Sequence, residues 1–216
     1  MATTFRPGNE RRHRPGERWD GPALGAVAGG GGAIDLVRAT RAVGDLLDAL
    51  GVRRQDGGLA DTPARVARAY AELLTPEPFK ATTFPNDEGY DELVVARDIA
   101  FCSLCEHHLL PFVGVAHVAY LPGERLLGLS KLARVVGHFS RRLQVQERLT
   151  TQVADWITET LRPRGVGVVL QAEHACMSLR GVQARGSSTV TSALAGLVRD
   201  DERTRAEFFS LVGCRP

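Results

Sequence analysis

Between residues 101 and 111 the chain reads Phe-Cys-Ser-Leu-Cys-Glu-His-His-Leu-Leu-Pro, placing Cys102, Cys105, Glu106, His107 and His108 beside apolar neighbours. So many polar groups next to core-forming residues are costly to bury unless a metal or a reaction uses them. Cys105 and His108 are three apart and share one face of a helical turn, while His107 between them points elsewhere. A thiolate and an imidazole on one face are two ligands for a first-row metal, zinc before others. A second group follows the apolar run 165–172: residues 173–181 read Glu-His-Ala-Cys-Met-Ser-Leu-Arg-Gly. His174 and Cys176 are two apart, so in an extended chain both project from one face.

Cys105, His108, His174 and Cys176 are therefore four candidate donors. Four protein ligands would close a tetrahedral zinc and make it structural; three would leave a position for water and make it catalytic. The spare groups His107 and Glu106 favour the open site, as does the distance of about seventy residues between the two segments. Cys102 and Cys105 also form a CxxC. No second CxxC follows and no thioredoxin-like context surrounds it, so Cys102 reads as a bystander, like Cys214 near the terminus.

The elements that must position these groups follow from periodicity. Apolar residues at helical spacing over 34–50, stopped by Gly51, predict a first helix. Asp61-Thr-Pro-Ala-Arg-Val-Ala predicts a second, with Asp61 or Thr62 as cap, Pro63 in its first turn, and Arg65 and Arg68 on one face. Residues 76–90 read as a loop. A strand over 92–101 leads into the cluster, and another over 113–121 carries His117, read as a structural histidine, before the turn Pro122-Gly123. Ser130 is a plausible cap for a helix over 131–143. On it Lys131, Arg134, His138, Arg141 and Arg142 fall on one side and Leu132, Val136, Phe139 and Leu143 on the other. No acid interrupts between Glu124 and Glu147, so that face suits an anion, phosphate foremost. A further amphipathic helix carries Leu149, Val153, Trp156, Ile157 and Leu161. A buried strand spans 165–172, a last strand 187–194, and a short helix over 200–211 closes the chain.

The 216 residues divide into a Gly/Arg-rich tail (1–32), read as disordered; a helical region (33–75); and a catalytic domain (76–216). The tail's arginines are balanced by Glu10, Glu17 and Asp20. A net charge of +2 names no partner, and no apolar run is long enough to span a membrane. No apolar leader is visible, so the cytoplasm is the expected location and free or metal-bound thiols are expected rather than disulfides.

Several blocks together resemble the GTP cyclohydrolase I family: the Asp61 block, Cys-Glu-His-His at 105–108, Gly-Leu-Ser-Lys-Leu-Ala-Arg at 128–134, Gln-Val-Gln-Glu-Arg at 144–148, and His-Ala-Cys-Met-Ser-Leu-Arg-Gly at 174–181. The resemblance covers about residues 34–213. It implies an α+β tunnelling fold, an antiparallel sheet with helices on one side, whose subunits join their sheets into a barrel. It also implies a homodecamer with active sites shared between neighbours. The reaction implied is GTP plus water to 7,8-dihydroneopterin triphosphate and formate, the entry step to tetrahydrofolate.

Matched residue by residue, Zn2+ would bind Cys105, His108 and Cys176 and activate water for attack at C8 of the purine. His107 and His174 would transfer protons. Glu147, with Gln146, would read guanine. Ser130, Lys131, Arg134 and Arg180 would hold the triphosphate, joined by Arg65 and Arg68. GTP explains the cationic helix better than nucleic acid does, and no nucleic-acid or membrane partner is expected. The chain departs from the family at 184–188, where Ala-Arg-Gly-Ser-Ser stands in place of a Lys-Pro-Gly-Ser-Lys run.

Overall fold

A five-stranded sheet in the order β6-β3-β4-β7-β8 carries the candidate residues. The computed structural model describes residues 19–20, 33–53 and 57–213. Cys214 and the tail, apart from strand β1 (Trp19–Asp20), lie outside them. In chain order the remaining strands are β2 (Thr82–Pro85), β3 (Val94–Cys105), β4 (Pro111–Leu121), β5 (Arg125–Leu127), β6 (Leu143–Gln144), β7 (Gly165–His174) and β8 (Thr189–Gly196). The helices are α1 (Leu36–Ala49), α2 (Thr62–Leu73), α3 (Leu129–Ser140), α4 (Gln146–Leu161), α5 (Ala175–Ser178), α6 (Leu197–Asp200) and α7 (Glu202–Val212). The fold is mixed α+β. Among the described residues no helix is long and apolar enough to cross a membrane.

Strand alternation sorts the sheet into two faces. Phe112, Ala116, Val118 and Tyr120 of β4 join Phe101 and Cys105 of β3 and Val166, Val168 and Leu170 of β7 on the face covered by α3 and α4. Leu132, Val135, Val136 and Phe139 of α3 and Leu149, Val153, Trp156 and Ile157 of α4 complete this core. Among the described residues the other face is covered only at one end. There Ala119, Leu121 and Val169 pack with Phe208 and Val212 of α7. Gly167 makes room for that contact, because a Cβ on it would stand 2.8 Å from the Phe208 ring. The expectation of helices on a single side is corrected to this extent.

Local differences from the sequence reading have physical reasons. Residues 82–85, expected in a loop, pair with β5 and β1 in a second, three-stranded sheet. The helix expected over 131–143 runs from Leu129 to Ser140 with Gly128 before its first turn, so Ser130 lies inside the helix rather than capping it. Leu143 leaves that helix to pair with Leu104 in a short parallel ladder. The closing helix is broken at Asp201, whose carboxylate accepts from the Thr204 backbone N–H and starts α7 afresh. Gly51, at φ +75, ends the turn after α1 as expected.

Candidate active site

Strand β3 delivers Cys105 at its last position, and the chain then reverses through residues 106–110 into β4. The reversal is a single turn rather than a helix. The N–H groups of His108 and Leu109 donate to Cys105 O at 3.3 and 2.9 Å, and Cys105 N–H donates to Leu110 O at 2.9 Å. Leu109 takes a left-handed backbone, φ +56, an uncommon conformation for a branched side chain. Tyr70 of α2 secures this point, its hydroxyl donating to Leu109 O at 2.9 Å.

The same turn brings two imidazoles to one thiol. Nδ1 of His108 lies 3.7 Å from Cys105 Sγ and Nδ1 of His107 lies 3.8 Å from it. The expectation that His107 points elsewhere is therefore corrected: its ring lies near the same sulfur, with Nε2 3.7 Å from Glu106 Oε1. Glu106 is itself held by Arg148, whose guanidinium also donates to Gln144 Oε1 and Leu143 O. That hydrogen bond, more than any other contact, keeps the Glu106 carboxyl below the usual carboxylate range.

β7 runs antiparallel to β4 and places His174 opposite Phe112, on the helix-covered face that also carries Cys105. The chain then enters α5, so Cys176 sits in a helical turn. The argument that His174 and Cys176 share a strand face is thus corrected; the bend at residue 175 swings Cys176 towards Cys105. Ligand atoms of Cys105, His108 and Cys176 all lie within 4.8 Å of one another. His174 is not part of this group; its Nε2 instead meets Gln146 Oε1 at 2.8 Å. Cys102 is excluded by strand geometry. It pairs with exposed Val113, three positions from Cys105 and therefore on the opposite face of β3.

The donor set fits a divalent zinc ion. Two sulfurs and one imidazole nitrogen from two turns of chain make a soft, open, three-ligand arrangement. Burial pushes the Cys176 thiol above its usual pKa, and the neighbouring Cys105 adds to the rise, while Arg180 pulls it down. A cation is what would hold both sulfurs as thiolates. Burial also lowers the pKa of His174, against the opposing pull of Glu147. The shift favours the neutral ring.

The expected substrate contacts do not all converge. Glu147, in the first turn of α4, is exposed and has no ion pair among the described residues. Gln146, expected to read the base, is buried with its amide engaged by β7 and β8. Arg180 follows α5 beside Cys176. Ser130, Lys131 and Arg134 lie in the opening turns of α3. β4 runs away from the 106–110 turn, β5 follows its far end, and α3 then returns until Ser140 O accepts from Ser103 Oγ at 2.6 Å. A 12-residue helix spans about 18 Å, so its first turn lies far from the cluster in the same chain. Arg65 is occupied by Gly58 O and Thr62 Oγ1 at 2.9 and 3.1 Å, and no described contact joins it or Arg68 to the cluster.

The cationic face of α3 also differs from expectation. His138 is only 3% exposed, with Nδ1 3.1 Å from Glu77 O and Nε2 2.7 Å from Arg142. Arg141 pairs with Glu77 Oε1 at 3.0 Å. The missing carboxylate comes from a segment distant in sequence. Sequence reasoning also missed Tyr70 and Arg148, because a phenol and an arginine at ordinary helix positions carry no signal of what they touch.

The family model described as GTP cyclohydrolase I matches residues 39–213. The chain is 53% identical over 191 residues to "GTP cyclohydrolase 1" of Streptomyces avermitilis, covering 85% of this chain and 94% of that one. It is 49% identical to the proteins of that name from Thermoanaerobacter pseudethanolicus and Aquifex aeolicus, covering 99% and 98% of their lengths.

Proposed function

The chain belongs to the GTP cyclohydrolase I family, and from that premise we propose how its own residues carry out the family's reaction. It is a hydrolase that converts GTP and water to 7,8-dihydroneopterin triphosphate and formate. The observation that carries the assignment of roles is the approach of Cys105, His108 and Cys176 to within 4.8 Å, with two further histidines beside them. These three residues would hold zinc, which when bound supplies a Lewis acid for the hydration of C8.

The remaining roles fall to the chain itself. Glu147 accepts from guanine N1–H and the 2-amino group, a donor pair that adenine lacks. His174, neutral through burial, takes and returns a proton at the substrate, and His107 serves the release of formate. Lys131, Arg134 and Arg180, with the Ser130 hydroxyl, neutralise the triphosphate. Arg68 is free to join them, whereas Arg65 serves the start of its own helix.

Because α3's opening turns lie far from the cluster, the triphosphate site is completed by a second subunit. Two features support an oligomer with a shared sheet. Among the described residues β8 pairs only with β7, and β3 is paired on its outer side only over Leu104 and Cys105. Open edges of this length invite pairing with another copy. Val113 and Val190 are also exposed on the uncovered sheet face. The fold is then the tunnelling fold and the assembly the family's decamer, in a reducing cytoplasm that suits thiol ligands. Incubation of zinc-loaded protein with GTP should release formate and yield a fluorescent pterin on oxidation. Absence of both products at full zinc loading would overturn the reading.

A further inference from the structure

Gln146 is 1% exposed, and a primary amide at that depth is costly unless its polar atoms are paired. Its Nε2 lies 3.1 Å from Leu170 O, 3.0 Å from Thr189 O and 3.1 Å from Thr191 Oγ1. Two of these are carbonyl oxygens, which only accept, so the NH2 must face them and the amide cannot be flipped. Oε1 is left facing Nε2 of His174 at 2.8 Å. An amide oxygen cannot donate, so Nε2 of His174 carries the proton. The ring is held a second time by Phe112, stacked at 4.6 Å between centroids with 2° between planes. Nδ1 of His174 makes no hydrogen bond to a described residue.

We infer that Gln146 is a positioning residue for His174: its Oε1 fixes the ring and its Nε2–H tautomer, leaving Nδ1 as the nitrogen that exchanges a proton with substrate. This rests on the reading of His174 as a proton-transfer residue of the cyclohydrolase reaction. The two neutral tautomers of imidazole are both accessible in water, and a single immovable acceptor selects one. The anchor is rigid, since it is tied to β7 and β8, the first of which ends at His174 itself. Both ends of the Gln146 amide are thus engaged inside the protein at 1% exposure, and base reading falls to Glu147.

The test separates positioning from substrate contact. Gln146→Met keeps the length of the side chain and removes the acceptor. With zinc content unchanged, it should lower kcat about 10- to 100-fold while KM for GTP stays within about 2-fold. In a His174→Ala background the same substitution should change residual turnover by less than about 2-fold, because the residue it serves is gone. A raised KM at unchanged kcat, or an equal loss in both backgrounds, would overturn the proposal. Should Gln146→Met not fold, or residual turnover fall below detection, nitrogen NMR of wild-type holoenzyme labelled at the histidine rings decides. With the signal identified through His174→Ala, a protonated Nε2 and a bare Nδ1 are expected, and the opposite tautomer refutes the inference. Wild-type turnover of GTP is measured alongside; its absence would sink the parent function without altering the tautomer result.

Discussion

His107 and His108 stand side by side with Nδ1 atoms almost equally far from Cys105 Sγ, at 3.8 and 3.7 Å. Of the two, His108 is the one grouped with Cys176, which on the proposed reading makes it the metal ligand and leaves His107 for proton transfer. His107→Ala should accordingly keep zinc in metal analysis and lose about 10^2- to 10^4-fold in turnover, whereas Cys176→Ala should lose the metal itself. Equal zinc loss in both would undo the division. Glu147→Gln should reduce kcat/KM for GTP by about 10- to 100-fold, the scale of a lost charge-assisted hydrogen bond, with metal content intact. The residue types of this site were legible because Cys-Glu-His-His and His-Ala-Cys are rare clusters beside apolar runs. Their geometry was less so. Spacing suggested that Cys176 shares a strand face with His174, but the strand ends two residues short of Cys176, and a turn performs the convergence instead. Nothing local in the sequence announces that Gln146, two residues beyond the β6 pairing, is buried.

At the scale of elements, one contact from the N-terminal helical region acts on the turn that bears the site, and one from the segment after it acts on the helix that covers the sheet. Tyr70 of α2 donates to Leu109 O, where the turn adopts its left-handed backbone. Tyr70→Phe removes one hydrogen bond worth about 1 kcal/mol, and it should weaken zinc retention under chelator challenge more than it lowers melting temperature. The other contact is the clamp at His138. Arginine only donates, so Nε2 of His138 accepts from Arg142 and Nδ1–H donates to Glu77 O. The imidazole is thus neutral, and burial foremost, with Arg142 beside it, holds its pKa below the ordinary histidine value. The sign follows: the unfolded chain takes up this proton more readily, so the clamp's stability is full above pH ~6.5 and is lost as pH falls below it. Chemical denaturation between pH 7.5 and 5.5 should show a steeper loss of stability in wild type than in His138→Phe; parallel curves would refute the clamp. Helical periodicity had placed His138 correctly on the Lys131–Arg134–Arg141 side of α3. It could not reveal Glu77, which is 64 positions from Arg141 and crosses over from another segment to cover that side.

For the whole molecule, the proposed function divides the substrate site into two halves. The cluster sits where β3 and β7 end, and Ser130 and Lys131 lie about 14 to 15 Å, and Arg134 about 9 Å, back along α3 from Ser140, whose carbonyl meets Ser103. On the proposed reading, Ser130, Lys131 and Arg134 meet a nucleotide bound at the cluster from a second chain. Sequence order alone does not reveal this, because the motifs follow one another along one chain as though they served one pocket. The two arrangements predict opposite results for a mixture of two dead proteins. Cys176→Ala removes the metal half, and Arg134→Ala with Lys131→Ala removes the phosphate half. Expressed separately, both should be nearly inactive. Expressed together so that subunits assemble at random, each site draws its cluster from one chain and its α3 from a neighbour. About a quarter of the sites then receive two intact halves. Activity near a quarter of wild type, with KM for GTP unchanged, is therefore expected of the mixed oligomer. If each site were built within one chain, every chain would carry one defect and the mixture would stay as inactive as its components.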